Sequence, residues 1–453
     1  MRRRQSRLAR AAAALPAETV DLTIERVGAR GDGIARGHDG EPVFVPFTVP
    51  GDRVRVRLGP RRGEGRAAAL LDVVAAGPGR RNPPCAQFGR CGGCTLQHLD
   101  DDLYAAAKLD ALHAAMRRHG LDPGVIEPLH RVPPGTRRRA RLSFVRRGGR
   151  QGGGKAVLIG FNARESHDVV DLAAGCAVLH PALAALVEPL RDLGASVLAP
   201  GEAGAAAVTL TETGVDALID LPRLPDIAAL EALASFAEAQ DLARLAWRAP
   251  GHGEPMPAAV RRPPRAVIAG VAVDLPTDGF LQAAVEGEAV LTEAVLDAVG
   301  ADASRPRVAD LFAGVGTFTF ALAARNAAVH AVEGAAPALA ALKDAADRAG
   351  LAGRVTAERR DLDARPLLAN ELRRFDAAVF DPPRAGAAAQ AASLAQSPVP
   401  RVAAVSCNPA TFARDARLLV DGGYRLRWVR PVDQFVWSAH LELVAGFDRR
   451  LTE

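Results

Sequence analysis

The stretch "VADLFAGVGTFTFALA" (Val308 to Ala323) decides the fold class of this chain. It begins as an apolar strand, turns through Gly314 and Gly316, and continues as an apolar helix. Glycines at these positions allow a tight turn and a close approach of the backbone to a ligand. No Gly-Lys-Ser/Thr follows, which excludes a P-loop, and the third glycine of a dinucleotide fingerprint is missing. The motif therefore predicts a site for a nucleotide-like cofactor.

Five strand-like runs alternate with helical runs from Gly279 onward. In chain order these runs are "RVADLF", "AAVHAVE", "RVTAERRD", "DAAVFDPP" and "RVAAVSCNP". Such a progression predicts a mostly parallel sheet with helices on both faces. Ligands of these sheets bind beyond the carboxyl ends of the strands. We therefore expect a Rossmann-like α/β domain over residues 276–453, with its site at that edge.

Acidic residues accompany the first three of these strands, namely Asp310, Glu333 and Asp361. Glu333 follows Asp310 by 23 residues, where an acid accepts hydrogen bonds from ribose hydroxyls. Asp361 is placed to face an adenine ring. A chance helix N-cap would explain any one of them, but three in order favour S-adenosylmethionine over NAD as the cofactor.

The fourth and fifth strands end in "FDPPRAG" and "AVSCNP". The two prolines stiffen the first loop and leave Asp381 in the cleft, where it can bind the edge of a planar heterocycle. Cys407 is either a buried structural cysteine, which is the commoner case, or a nucleophile. The helix that begins near Ala410 points its N-terminus at the thiol, which predicts a lowered pKa for Cys407.

Glu442 lies in an otherwise apolar strand, in "SAHLELV". It is either a surface residue of a half-buried strand or a general base with a raised pKa. A thiolate, a carboxylate base and a methyl donor fit one reaction. The thiolate adds to C6 of a pyrimidine, C5 takes the methyl group, and the base removes the C5 proton before elimination.

The N-terminal part of the chain predicts a small antiparallel barrel of five strands over residues 18–77, preceded by a basic disordered tail, residues 1–17. In "RVRVRL" the alternation puts Arg53, Arg55 and Arg57 on one face. This face is either solvated or a surface for RNA. Residues 78–275 mix strand-like and helical runs, which indicates a central α+β domain.

Three cysteines, Cys85, Cys91 and Cys94, lie within ten residues, and Cys176 is the remaining candidate for a fourth ligand. The spacing differs from the paired knuckles of zinc sites and suits an iron–sulfur cluster about equally well. So few cysteines exclude a disulfide framework and favour a reducing compartment, the cytoplasm.

The composition, with 49% apolar and 24% charged residues, is that of a globular protein without a membrane span. The net charge of +5 permits a polyanionic partner. Only three of the basic residues are lysines, so arginine clusters are weaker evidence for nucleic acid than usual.

These motifs together resemble the RNA uracil-5-methyltransferase family over nearly the whole chain. The resemblance implies that the barrel is a TRAM domain and that Cys85, Cys91, Cys94 and Cys176 hold a 4Fe-4S cluster. It also implies that Cys407 is the nucleophile and Glu442 the base. The positions that would bind S-adenosylmethionine or the target base are Gln282 (in "FLQA"), Phe312, Gly314, Gly316, Thr317, Glu333, Asp361 and Asp381.

The chain departs from the family pattern at several positions. Ala284 stands where Asn usually follows that Gln by two residues, and Val436 stands for Pro. Thr317, Asp361 and Ala404 replace a common Asn, Asn and Tyr. The departures affect details of cofactor contact and RNA choice, because the nucleophile, the base and "DPPR" are intact.

The resemblance implies a monomeric RNA (uracil-5-)-methyltransferase that forms 5-methyluridine in a flipped-out uridine. Members with both barrel and cluster mostly modify 23S ribosomal RNA, whereas tRNA-acting relatives commonly lack both. A tRNA substrate is the first alternative. A catalytically silent RNA-binding or assembly factor is the second, and intact Cys407 and Glu442 argue against it.

Overall fold

The computed structural model describes residues 18–148, 156–251, 253–300 and 305–449. The predicted tail, residues 1–17, lies outside them. The chain forms two compact units, which we call the small unit and the large unit. The small unit contains the residues up to Pro84 together with Cys94–Ala111 and Trp437–Ala439, and the large unit contains Cys85–Gly93, Leu112–Val436 and the residues from His440 onward.

The small unit contains a six-stranded sheet in the order β1-β5-β6-β4-β3-β2. Its strands are β1 (Thr19–Thr23), β2 (Arg26–Val27), β3 (Gly33–Arg36), β4 (Pro42–Val45), β5 (Arg53–Arg62) and β6 (Gly65–Ala75). In β5, Val54 and Val56 are buried while Arg53, Arg55 and Arg57 are exposed, as the alternation predicts. Helix α1 (Asp101–Arg118) follows and ends before Gly120, which has a φ of 65°.

Two details of the predicted barrel are wrong. The run "TVDLTIERV" (Thr19 to Val27), expected to be one strand, forms two strands, because the backbone of Ile24 donates to Asp52 and accepts from Gly51 at the break. The sheet is also not wholly antiparallel, since β4 pairs with β6 in parallel.

The large unit contains a seven-stranded sheet in the order β10-β9-β8-β11-β12-β13-β14. Its elements, with the short pieces that precede and follow it, are a 3₁₀ turn (Pro123–Val125), β7 (His130–Arg131), β8 (Arg139–Arg146), β9 (Val157–Asn162), β10 (Val169–Asp171), α2 (Pro181–Ala184), α3 (Val187–Val197), β11 (Ala203–Thr211), β12 (Gly214–Asp220), α4 (Ile227–Ala239), β13 (Arg244–Arg248), β14 (Met256–Val260), β15 (Arg265–Ile268) and β16 (Val271–Asp274). Helices α3 and α4 bury Leu190 and Leu233 in the core of this sheet.

An eight-stranded sheet of the large unit has the order β19-β18-β17-β20-β21-β23-β22-β7. Its further elements are α5 (Val285–Val299), β17 (Arg307–Leu311), α6 (Thr317–Ala324), β18 (Ala328–Glu333), α7 (Ala336–Arg348), β19 (Val355–Arg359), α8 (Ala369–Leu372), β20 (Ala377–Phe380), α9 (Ala388–Ala395), β21 (Arg401–Ser406), α10 (Pro409–Asp421), β22 (Tyr424–Asp433) and β23 (Glu442–Arg449). Strands β17 to β21 pair in parallel, as predicted, and β23 runs antiparallel to β21.

Helices cover both faces of this sheet, which explains the continuous apolar strands at its centre. In β17, Val308 packs into one core cluster, whereas Ala309 and Leu311 pack into the cluster on the opposite face. The carboxyl ends of the five parallel strands meet at one edge. Because β23 is antiparallel, its first residue, Glu442, lies at that same edge. Within the described ranges, every helix is too short or too polar to cross a bilayer.

Candidate active site

Four carboxyl groups line this edge of the eight-stranded sheet, in the order of its strands: Glu333 on β18, Asp310 on β17, Asp381 after β20 and Glu442 on β23. Burial raises the pKa of Asp310 to about 7, and the charge of Glu333 adds to the effect. Burial and Asp310 likewise raise the pKa of Asp381. Asp310 and Asp381 therefore each lie close enough to a neighbouring carboxyl group for its charge to raise their own pKa.

The glycine turn and Glu333 form one end of this row. Glu333 accepts hydrogen bonds from the backbone N–H groups of Gly314 at 2.9 Å and Ala335 at 2.7 Å. A Cβ on Gly314 would have no heavy atom within 4 Å, whereas one on Gly316 would lie 2.6 Å from the ring of Phe320. The open space at Gly314 fits a cofactor that approaches the backbone closely.

The other predicted cofactor residues lie around this turn. Phe312 has a φ of 63° and packs against a core cluster. Thr317 is the first residue of α6 and borders a cavity between α5 and α6. Asp361 follows β19, and its Oδ1 accepts from the N–H of Asp363 at 3.1 Å. Asp361 therefore also lies at the carboxyl edge of the sheet.

Cys407 and Glu442 meet across the antiparallel pair of β21 and β23. Ser406 pairs with Leu443 in this register, so one further step places Cys407 opposite Glu442. Directly opposed residues have their Cβ atoms about 4.5–5.5 Å apart. The sequence predicted both residues, and the antiparallel register is what brings them together.

The pKa of the Cys407 thiol is raised to about 11, by burial first and then by the charges of Glu442 and Asp381, while Arg384 acts in the opposite direction. The expected lowering by the N-terminus of α10 is therefore wrong. Burial and two carboxylates outweigh a helix dipole, which contributes about 0.3–1 kcal/mol at such a position.

The loops after β20 and β21 are joined at this edge. The side chain of Asn408 donates to the backbone carbonyl of Arg384 at 3.1 Å and caps α10 by accepting from the N–H of Ala410 at 3.1 Å. The guanidinium of Arg384 lies 3.4 Å from Nδ1 of His440. These contacts fix the loops that carry Asp381 and Cys407.

Glu442 is 4% exposed. Burial, followed by the charge of Asp381, raises its pKa to about 8, and a hydrogen bond from Gln434 opposes the shift. Of the two interpretations of this residue, a surface position is wrong, because the carboxyl is buried. A carboxyl with this pKa has the property of a general base that works near neutral pH.

Two side-chain amides, those of Gln434 and Gln282, link Glu442 to Asp381. Nε2 of Gln434 donates to Oε1 of Gln282 at 2.7 Å and to Oε2 of Glu442 at 3.2 Å. Nε2 of Gln282 lies 3.5 Å from Oδ2 of Asp381. Sequence reasoning missed Gln434. Its position in the sequence could have identified it. Gln434 follows the last residue of β22, and β22 pairs antiparallel with β23, which begins at Glu442.

Three of the predicted cluster ligands, Cys85, Cys91 and Cys176, lie in the large unit, and Cys94 lies in the small unit. Burial, and then the charges of Cys176 and Cys85, raise the pKa of Cys91, so these three thiols are neighbours. Sulfur donors of this kind suit iron–sulfur chemistry. Among the described residues, no group of three or more His, Cys, Asp or Glu side chains has an arrangement that holds a metal ion.

The fold and the carboxyl-edge site define the class of protein as a Rossmann-like α/β methyltransferase with an additional N-terminal barrel. A solved structure with the same fold is the tRNA (uracil-54, C5)-methyltransferase of Pyrococcus abyssi in complex with S-adenosyl-L-homocysteine. The match has a TM-score of 0.72 at 22% identity and covers 94% of this chain and 100% of that chain.

Sequence comparisons identify the family. The profile of the tRNA (Uracil-5-)-methyltransferase family matches residues 274–449, and the TRAM domain profile matches residues 14–59. An RNA methyltransferase of Caulobacter vibrioides is 42% identical over 95% of this chain and 100% of its own length. The 23S rRNA (uracil(1939)-C(5))-methyltransferase of Chromohalobacter salexigens is 37% identical over 93% of this chain and 87% of its own. The chain belongs to the RNA uracil-5-methyltransferase family, which confirms the predicted resemblance.

Proposed function

We propose that this protein uses S-adenosylmethionine to methylate C5 of a uridine in RNA, with Cys407 as nucleophile and Glu442 as base. The observation that carries the proposal is the closeness of these two side chains: the charge of Glu442 raises the pKa of Cys407, and their chain neighbours Leu443 and Ser406 pair across β23 and β21. The charge of Asp381, at the same edge, raises the pKa of both Cys407 and Glu442.

Each step of the reaction assigns a task to one of these side chains. Cys407 loses its thiol proton to solvent, and its sulfur forms a bond to C6 of the uracil, which makes C5 nucleophilic. S-adenosylmethionine, when bound, supplies an electrophilic methyl group to C5. The carboxylate of Glu442 then takes the proton from C5, and the C6–S bond breaks to restore the 5,6 double bond and the Cys407 thiolate.

The remaining predicted residues divide between base and cofactor. Asp381 and Gln282, which face each other at 3.5 Å, would bind the polar edge of the uracil. Cofactor binding would fall to Phe312, Gly314, Gly316, Thr317, Glu333 and Asp361. The open space at Gly314 and the Glu333 carboxyl group beside it support a ligand with hydroxyl donors at this end.

The RNA substrate we propose is 23S rRNA. The relative that acts on 23S rRNA is 37% identical over 93% of this chain, while the tRNA-modifying structure shares 22% identity. A tRNA is the second candidate, because that structure covers 94% of the chain. The target base would be flipped out of its stack, because C6 is not accessible within it.

A trapping experiment tests the chemistry. 23S rRNA and tRNA are transcribed in vitro with 5-fluorouridine, whose C5 fluorine cannot be removed as a proton, and incubated with the protein and S-adenosylmethionine. We expect a covalent complex with 23S rRNA that survives denaturing electrophoresis. Cys407→Ala should form none, and the neighbouring Ser406→Ala is the matched control that should retain it.

The outcomes separate the alternatives. A complex with tRNA alone would replace the substrate but keep the mechanism. Wild-type protein that produces 5-methyluridine without a trapped complex would contradict the Cys407 mechanism. Protein that binds RNA yet produces neither would be the silent binding factor.

We also propose that Cys85, Cys91, Cys94 and Cys176 hold a 4Fe-4S cluster. The closeness of three of these thiols to one another supports it. Anaerobic preparations should be brown and contain about four irons and four sulfides per chain, and Cys91→Ser should lose the colour. A colourless protein with stoichiometric zinc would contradict the cluster. Both the cluster and the Cys407 thiol favour the reducing cytoplasm, where we expect the protein to act as a monomer.

A further inference from the structure

We propose that Gln434 is a positioning residue that fixes the orientation of the Gln282 amide and the Glu442 carboxylate together. The effect of Gln434 on catalysis rests on the proposed function, in which Glu442 is the base. The geometric basis of the inference is independent, because all its contacts lie within the large unit.

The backbone N–H of Ala283 determines the orientation of both side-chain amides, those of Gln434 and Gln282. Oε1 of Gln434 accepts from the backbone N–H of Ala283 at 3.1 Å. A backbone N–H can only donate, so the Gln434 oxygen must face it and the Gln434 nitrogen must face the other way. That nitrogen meets Oε1 of Gln282 at 2.7 Å, so Gln282 in turn directs its own nitrogen towards Asp381.

The same nitrogen of Gln434 also meets Oε2 of Glu442 at 3.2 Å. An amide N–H donated to a carboxyl group stabilises its charged form. Gln434 therefore opposes the burial that keeps the proton on Glu442 and favours the form that can act as a base.

The surroundings hold Gln434 in this one place. Its side chain is 3% exposed. A Cβ on Gly287 of helix α5 would lie 2.8 Å from the Cβ of Gln434 and 3.0 Å from its Oε1. The nearby Ala284 is fully buried and carries no polar atom, so the amide at this point comes from Gln434 on the opposite element. Gly287 thus makes the space that Gln434 fills.

The test compares Gln434→Met with a matched control. Methionine keeps the length of the side chain and removes both hydrogen-bonding atoms. The control is Gln390→Met, because Gln390 is an equally buried amide whose hydrogen bonds go to the backbone of Leu367, at 2.9 Å and 3.1 Å, and not to a carboxyl group. Should Gln434→Met not fold, Gly287→Ala displaces the Gln434 side chain without removing its amide.

The first measurement needs no RNA. Carbon-13 titration of labelled glutamate carboxyls should show the pKa of Glu442, identified by its loss in Glu442→Gln, rise by about one unit in Gln434→Met. It should not move in Gln390→Met. An unchanged Glu442 titration in both the Gln434 and Gly287 variants would overturn the inference.

The second measurement uses methyl transfer to in vitro transcribed 23S rRNA. In Gln434→Met the acid limb of kcat/KM should move to higher pH, with about a tenfold loss at pH 7 and unchanged binding of S-adenosylmethionine. Wild-type protein that makes no 5-methyluridine would contradict the proposed function alone. An active wild type with an identical pH profile in Gln434→Met would contradict the role of Gln434 alone.

Discussion

Cys407 and Glu442 both hold their protons at neutral pH, since their pKa values are raised to about 11 and about 8. The reaction needs the thiolate and the carboxylate, so the fraction of protein in the reactive form increases with pH. We expect kcat/KM for methyl transfer to rise about a hundredfold per pH unit below pH 8, where both groups titrate, and about tenfold per unit above pH 8, where only the thiol still titrates. Single-turnover transfer from labelled S-adenosylmethionine across pH 6 to 9.5 measures this. A change of slope near pH 5 instead of pH 8 would show that Glu442 is not the base in this environment.

The buried Glu442 also makes stability depend on pH. Its folded-state pKa lies above its unfolded value, so the folded state binds more protons between the two, and stability falls as pH rises through that window. Glu442→Gln should therefore be inactive yet more stable than wild type at pH 9, by about 2 kcal/mol or more, with little difference at pH 4.5. Guanidinium unfolding at both pH values measures the difference.

The control is Gln390→Glu, which introduces a carboxyl at a buried site that has none and should destabilise the protein at pH 9. An equal stability of wild type and Glu442→Gln at both pH values would contradict the raised pKa.

At this scale the sequence selected Cys407 and Glu442, from "SCNP" and "HLE", as the residues we propose to react, and it failed on one property. The direction of the Cys407 pKa shift was wrong, because the helix that argued for lowering it is adjacent in sequence, whereas the carboxylates that raise it come from β23 and the loop after β20. Sequence reasoning also missed Gln434, because its partners Gln282 and Ala283 are distant in sequence.

The turn between β17 and α6 contains two glycines with different requirements. Gly316 has a φ of 99° and its Cβ position is blocked by Phe320 at 2.6 Å, whereas Gly314 has a φ of 57° and open space. We expect Gly316→Ala to cost about 2–3 kcal/mol in stability through strain and overpacking. Gly314→Ala should cost about 1 kcal/mol but weaken S-adenosylmethionine at least tenfold. Thermal unfolding and calorimetric titration of both variants separate the two effects, and equal losses in both would contradict the distinction.

Elements were predictable where both faces of a strand are buried. All five parallel strands form as expected. The central strands β17, β20 and β21 read as apolar runs because helices cover both sides, whereas the edge strand β19 is mostly exposed and was predicted from the alternation of strands with helices. The barrel was less predictable. Whether Thr23 and Arg26 belong to one strand or two depends on two backbone hydrogen bonds, one that Ile24 accepts from Gly51 and one that it donates to Asp52, and no local pattern encodes them.

For the molecule as a whole, the arginine face of the small unit bears on RNA binding. Arg53, Arg55 and Arg57 are exposed on β5, but Arg55 forms an ion pair with Asp21 at 2.9 Å. The double variant Arg53→Ala/Arg57→Ala should weaken binding to 23S rRNA and reduce the slope of log K against log salt by about 1.5. Arg55→Ala, the control, should change the slope less, because Asp21 already offsets its charge. Filter binding from 50 to 300 mM KCl measures this, and an equal effect of Arg55→Ala would contradict it.

The sequence by itself determined the fold class and the parallel sheet, and it placed the proposed cofactor site, nucleophile and base at one edge, because these depend on periodicity and on residues placed at strand ends. The tertiary structure decided the antiparallel register that sets Cys407 against Glu442, the row of carboxyls that raises their pKa values, and the amide chain through Gln434. Each of these depends on groups distant in sequence that meet in a buried place. There, solvent no longer screens charge, and every polar atom needs a partner.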